Sequence, residues 1–220
     1  DNETRPIHTG SLFELEDKEL TMVAVDGYRL ALRREPVLEK TGETSFSFVV
    51  PSAALNEGDK ICAPTEEPVT VAQGARHIQF KVGNTILVSR RLEGEFLAWR
   101  QAIPRNNSIQ VQGETKALLA AIDRVSLIIS DKLKSPLRCI FDDNMLKIST
   151  KTAIGDASDQ CPIQGSGNGL EIGFNNKYLM DALKAAPAER VQLELTTGVS
   201  PCVILPAEGE ENFLYMVLPV

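Results

Sequence analysis

At 220 residues the chain is long enough for one large domain or two of ordinary size, and 43% hydrophobic residues suffice to fill their cores, which excludes a disordered chain. A formal net charge of −7 excludes a surface that grips nucleic acid everywhere, so any DNA contact has to come from basic residues gathered on one face.

In chain order, RPIHTGSLFELEDKELTMVAV (5–25) reads as a strand pair turning at Glu16, Asp17 and Lys18. Asp26–Gly27 then lies between two apolar runs and signals a two-residue hairpin of type I′, with Tyr28 and Arg29 directly at its mouth. FSFVVPSAALNEGDKIC (46–62) is a strand running into a short helix near Pro51, and 67–91 supplies a pair of closing strands that carries His77. Pro104 and two Asn in QAIPRNNSIQ (101–110) break the pattern, which places a boundary there and gives modules 1–107 and 108–220.

The second module opens with a helix over 114–130, in which Leu118, Ile122, Val125 and Ile129 recur at the spacing of a buried stripe. A hairpin follows over 135–160, turning at Asp142, Asp143 and Asn144, and QGSGNG (164–169) reads as a flexible connection. Then come a strand and helix over 170–186, with Asn175 or Asn176 as the N-cap, and closing strands over 189–206. The order strand pair, helix, strand pair occurs twice, so the expected architecture is α+β with two similar modules. The first module begins directly at its strand and lacks a counterpart of the 114–130 helix. Together with an opening Asp1 in place of Met, this reads as a piece of a longer protein.

Catalytic material is thin. Cys62, Cys139, Cys161 and Cys202 form no CxxC pair and read as reduced core thiols, and no metal or cofactor site is expected. The acidic pairs Asp142–Asp143, Asp156–Asp159 and Glu210–Glu211 each fall in a predicted turn or loop, and His77 lies in an alternating strand, where a structural role outweighs a general base. The glycine cluster lacks the GxGxxG spacing, and Walker-type and GxSxG motifs are absent. The chain therefore reads as a binding or scaffold protein without catalytic residues. A hydrolase built on Asp156 and Asp159 is the weakest alternative. No signal peptide or membrane-length apolar run is present, in keeping with the cytoplasm. The apolar ending LYMVLPV (214–220) is too short to span a bilayer and has to bury itself in protein.

Five stretches in register, RPIHTGSLFE (5–14), VDGYRLA (25–31), RRLEGEFLAWRQAIP (90–104), GFNNKYLMDALKAA (173–186) and YMVLPV (215–220), resemble the bacterial sliding clamp, the beta subunit of DNA polymerase III, across essentially the whole chain. The resemblance implies a DNA-clamp fold of which the chain carries the second and third modules, the first module and the second's leading helix lying before Asp1. It implies a non-catalytic processivity factor. In the full-length protein, two subunits close head to tail into a homodimeric ring around duplex DNA and tether the replicative polymerase.

Partners, including the DNA polymerase III alpha subunit and the clamp loader, carry a peptide with glutamine followed by leucine and a bulky apolar residue. On matching positions its pocket, between the second and third modules, is lined by His8, Val25, Gly27, Tyr28, Arg29, Leu30, Leu97, Gln101, Ala102, Pro201, Met216, Val217, Leu218, Pro219 and Val220. LYMVLPV is then a closing strand ending as a pocket wall. His8 replaces a commonly apolar residue, and Leu97 and Ala98 replace a common Pro–Asp.

The residues expected to face DNA, loosely and without sequence preference, are Arg5, Lys116, Arg124, Lys177 and Lys184. At about 100° per residue, Lys177 and Lys184 fall within roughly 20° of each other, away from Leu179 and Leu183, although Asp181 and Asp123 share these faces. The piece alone is expected to be a monomer, or a non-native dimer through the exposed strand edge of the third module. The runner-up reading is a duplicated peptide-interaction module unrelated to replication.

Overall fold

The computed structural model describes residues 5–42, 45–63, 65–130, 135–208 and 212–220, so the Glu210–Glu211 pair lies outside the described residues. The chain is α+β and forms two compact units, the first comprising 1–26 and 32–99, the second 27–31 and 100–220. The division thus falls at Trp99 and Arg100 rather than at 107/108, and five residues after the Asp26–Gly27 turn belong with the second unit.

In the first unit a short 3-10 turn (Pro6–Thr9) leads into β1 (Gly10–Glu16), β2 (Glu19–Val25), β3 (Arg29–Pro36, of which Leu32 onward belongs here) and β4 (Ser45–Pro51), in the order β4-β1-β2-β3. The first turn is where the sequence predicts it: Glu16 faces Glu19, and Asp17 takes a positive φ of 52°. The second turn differs. Three residues, 26–28, connect β2 to β3, and of Asp26 and Gly27 only Gly27 has positive φ (89°), so this is not a two-residue type I′ hairpin.

Helix α1 (Ser52–Cys62) starts immediately after Pro51, whose ring fixes φ and cannot donate to a strand ladder. Not a pair but three strands follow, β5 (Thr70–Gln73), β6 (His77–Val82) and β7 (Thr85–Arg90), forming their own sheet. One core cluster of this unit joins Val50 and Ile78 to a group of rings: Phe13 stacks on Phe48 at 5.5 Å between ring centroids and meets the partly buried Phe80 edge-on at 6.1 Å. Trp99, buried at the end of this unit, donates its indole N–H to Glu14 Oε2 at 3.2 Å.

The second unit runs α2 (Trp99–Ala102, from Arg100 onward), β8 (Ile109–Glu114), α3 (Thr115–Ser126), β9 (Leu137–Thr152), β10 (Gly155–Phe174), α4 (Asn176–Ala185), β11 (Arg190–Leu195), β12 (Cys202–Pro206) and β13 (Phe213–Val217). Its sheet order is β13-β12-β11-β8-β10-β9. Strand β8 was not anticipated. It begins in the last two residues of the stretch read as the linker, and Asn107 pins that linker by donating to Glu194 Oε2 at 2.9 Å. As the periodicity predicts, α3 buries Leu118, Ile122 and Val125, but the helix ends at Ser126, and Ile129 only packs partly against the core.

Asp142–Asp143–Asn144 is not a turn. All three lie inside β9, and the β9–β10 ribbon turns instead between Thr152 and Gly155. The aspartates and Asn144, with its φ of 55°, sit beside an irregularity in the ribbon where the register shifts on either side of Ser166. QGSGNG is accordingly part of β10 rather than a loose connection. Gly167 is required there because a Cβ would collide with Phe141. Asp156 and Asp159 are also strand residues, not loop residues. Asn175 is the N-cap of α4, its side chain accepting from the Lys177 N–H at 3.0 Å.

Candidate functional site: the 27–31 segment, the C-terminal strand and helix α4

The geometry of the second unit gathers three separated parts of the chain. Strand β13 pairs with β12, Val217 facing Cys202 and Met216 facing Val203, which makes LYMVLPV a closing strand followed by a three-residue tail. Met216 and Val217 are buried. Beyond them, the Leu218 N–H donates to the Tyr28 carbonyl at 2.9 Å and the Val220 N–H to the Gly173 carbonyl at 3.0 Å. The tail is therefore held at two backbone points, while Val220 itself is 72% exposed.

Tyr28 emerges from the Gly27 turn with 60% of its surface exposed, a large apolar face on offer to a ligand. Its ring stacks on Tyr178 of α4 at 5.9 Å with planes 25° apart. The Arg29 guanidinium lies 4.5 Å from the centroid of the same Tyr178 ring, and its Nη1 contacts Asp181 Oδ2 at 2.6 Å. Leu30, next along, is buried.

Tyr178 and Asp181 were absent from the residues singled out for the site. The side chains they meet lie 149 to 152 positions away, a separation that no local pattern encodes. Asp181 is one of the acidic residues that share the faces of the expected DNA-facing cations, and it is in contact with Arg29.

Of the other expected pocket residues, Pro201 directly precedes the Cys202–Val217 pairing and is half-buried, and Gln101 and Ala102 lie on α2. His8, Val25 and Leu97 belong to the first unit. There, Val25 is buried at the end of β2, while His8 and Leu97 line a cavity of about 330 Å³ with Arg5, Ile7, Glu95 and Phe96. His8 meets Phe96 edge-on at 5.5 Å, and burial, with a smaller contribution from Arg5, pulls its pKa below the usual imidazole range. Arg5, expected to face DNA, is thus a wall of the His8 cavity.

The remaining cations expected at DNA sit on α3 and α4, which pack against each other. Lys116, Lys177 and Lys184 are exposed, and Leu179 and Leu183 are buried on the opposite side of α4, as the helical angles require. Arg124 is exposed too, but its Nε donates to Asp159 Oδ2 at 2.6 Å. That bond, with the Gln160 N–H, holds the Asp159 carboxyl below the usual carboxylate range. Asp159 is therefore an ion-pair partner and a poor candidate for a general base. His77 is exposed on β6, not packed in a core.

Among the described residues no cluster of three or more His, Cys, Asp or Glu is arranged to hold a metal, and no helix is long and apolar enough to cross a membrane. The four thiols are free, with Cys139, Cys161 and Cys202 buried, and burial pushes Cys139 up to about 12.

Two family descriptions match in tandem: DNA polymerase III beta subunit, central domain, over residues 1–97, and DNA polymerase III beta subunit, C-terminal domain, over residues 100–220. A beta sliding clamp of Staphylococcus aureus is 31% identical over 221 residues, covering 100% of this chain and 58% of that protein. One from Halalkalibacterium halodurans is 34% identical over 223 residues, covering 99% and 58%. The crystal structure of a DNA polymerase sliding clamp from Bacillus subtilis superposes with a TM-score of 0.92 at 29% identity, covering 100% of this chain and 58% of that one. The chain thus spans 58% of the length of these curated relatives. With both descriptions met in order and the same fold in solved relatives, the chain belongs to the DNA polymerase III beta subunit family.

Proposed function

We propose that the chain acts in a DNA sliding clamp. It is a non-catalytic processivity subunit that, in a homodimeric ring, surrounds duplex DNA and holds the DNA polymerase III alpha subunit, the clamp loader and other partners through a short peptide. Family membership supports the class of function. The observation that carries the peptide site is the exposed Tyr28 ring, backed by Tyr178 and fastened from behind by the Leu218–Tyr28 backbone bond. Exposed aromatic surface on a pre-ordered support is what a peptide's apolar side chains need, because little conformational freedom is lost on binding.

Two buried anchors are worth about 1.5–3 kcal/mol each, and a 1 μM complex needs roughly 8 kcal/mol net, so micromolar or weaker binding is expected. On the DNA side, Lys116, Lys177 and Lys184 support loose, salt-sensitive contact with phosphates.

Fluorescence polarisation with a labelled peptide containing glutamine, leucine and phenylalanine tests the peptide site. The control is a chain lacking Leu218–Val220, which spares the buried Met216 and Val217. Saturable binding that the truncation weakens supports the reading. Binding equal to that of a scrambled peptide refutes it.

A further inference from the structure

We infer that Asp181 is a positioning residue for the peptide site, acting through Arg29; the inference rests on the peptide-site reading above. The Asp181 carboxylate is in contact with Arg29 Nη1 at 2.6 Å, across 152 positions of sequence. The same guanidinium lies over the Tyr178 ring, on which Tyr28 also packs.

An Arg side chain has several rotatable bonds, and ring contact alone leaves the guanidinium free to slide and turn. A carboxylate at one end of the plane removes that freedom. Asp181 therefore fixes the guanidinium, the guanidinium fixes Tyr178, and Tyr178 supports the exposed face of Tyr28. The contribution is pre-organisation of the site rather than a contact with the peptide.

The test is peptide binding to Asp181→Asn, Asp181→Glu, Arg29→Ala and the Arg29→Ala/Asp181→Asn double variant, with urea unfolding to check that each is folded. Both side chains of the pair are part-exposed, so the expected effect is modest. Asp181→Asn should weaken binding about three- to tenfold, and the gap should narrow in high salt as the pair is screened. Asp181→Glu should bind within about twofold of the parent, and adding Asp181→Asn to Arg29→Ala should cost nothing further. The Arg29 Nε–H signal in 15N NMR should broaden or average in Asp181→Asn without peptide present.

If the parent binds and Tyr28→Ala does not, but Asp181→Asn binds like the parent, the role of Asp181 is overturned and the site stands. Additive losses in the double variant overturn it equally, because Asp181 would then act other than through Arg29. A parent chain that fails to bind overturns the site and the role of Asp181 in it together.

Discussion

Replacing Tyr28 with Ala separates binding from stability, because more of the ring faces outward than inward. A Tyr buries roughly 200 Å² when fully enclosed. At 60% exposure, about 120 Å² is left for a ligand. At ~25 cal/mol per Å² that area is worth about 3 kcal/mol, or roughly 150-fold in Kd. The remaining ~80 Å², packed on Tyr178, is worth about 2 kcal/mol at most to folding. Tyr28→Ala should therefore lower peptide affinity by one to two orders of magnitude while the chain stays folded. The measurement is a polarisation titration beside a urea unfolding curve of the same preparation. A Kd within about threefold of the parent would refute the assignment of the exposed ring as a peptide-binding surface.

Other perturbations have equally definite signs. Gly58 lies within α1, where a Cβ would meet only Leu87 Cδ2 at 3.7 Å, so Gly58→Ala should raise stability by about 0.5–1 kcal/mol; Gly27→Ala, at φ 89°, should lower it by about 1–2 kcal/mol despite open space around it. Urea midpoints decide both, and equal signs at the two positions would contradict the backbone argument. The lowered pKa of His8 means that protonation favours the unfolded chain. Its stabilising contribution is present above the unfolded value near 6.5 and is lost as pH falls through the folded value. The parent should accordingly lose stability relative to His8→Gln between pH 8 and 5, and parallel curves would count against burial of the ring. Cys139, Cys161 and Cys202 should resist a thiol reagent until the chain unfolds, whereas the half-buried Cys62 should react in the native state; a native count above one refutes the burial of the other three.

The hydrophobic periodicity of α3, the Asp17 turn, the Pro51 helix start and the Asn175 cap were legible because each is decided within a few residues of itself. Asp142–Asp143–Asn144 has the composition of a turn but lies within β9. What overrides it is the long pairing of β9 with β10, which absorbs the three residues as an irregularity and moves the turn to 152–155. Strand β8 escaped notice because its polar Gln and Glu positions and Gly113 conceal a strand that is paired on both sides. Its identity depends on neighbours far along the chain.

The sequence by itself determined the α+β class and, through five ordered motifs, the family. It also marked Tyr28, Arg29 and the apolar tail as unusual. Only the tertiary structure decided what those residues touch. Burial of Met216 and Val217 places the tail strand, the Leu218–Tyr28 bond carries the 27–31 segment into the second unit, and that segment meets Tyr178 and Asp181 on α4. Local propensity acts over a few residues, whereas ion pairs and ring stacking depend on distance in space. The Arg29–Asp181 contact therefore exists only once the packing of α4 beside the 27–31 segment has set the two side chains 2.6 Å apart.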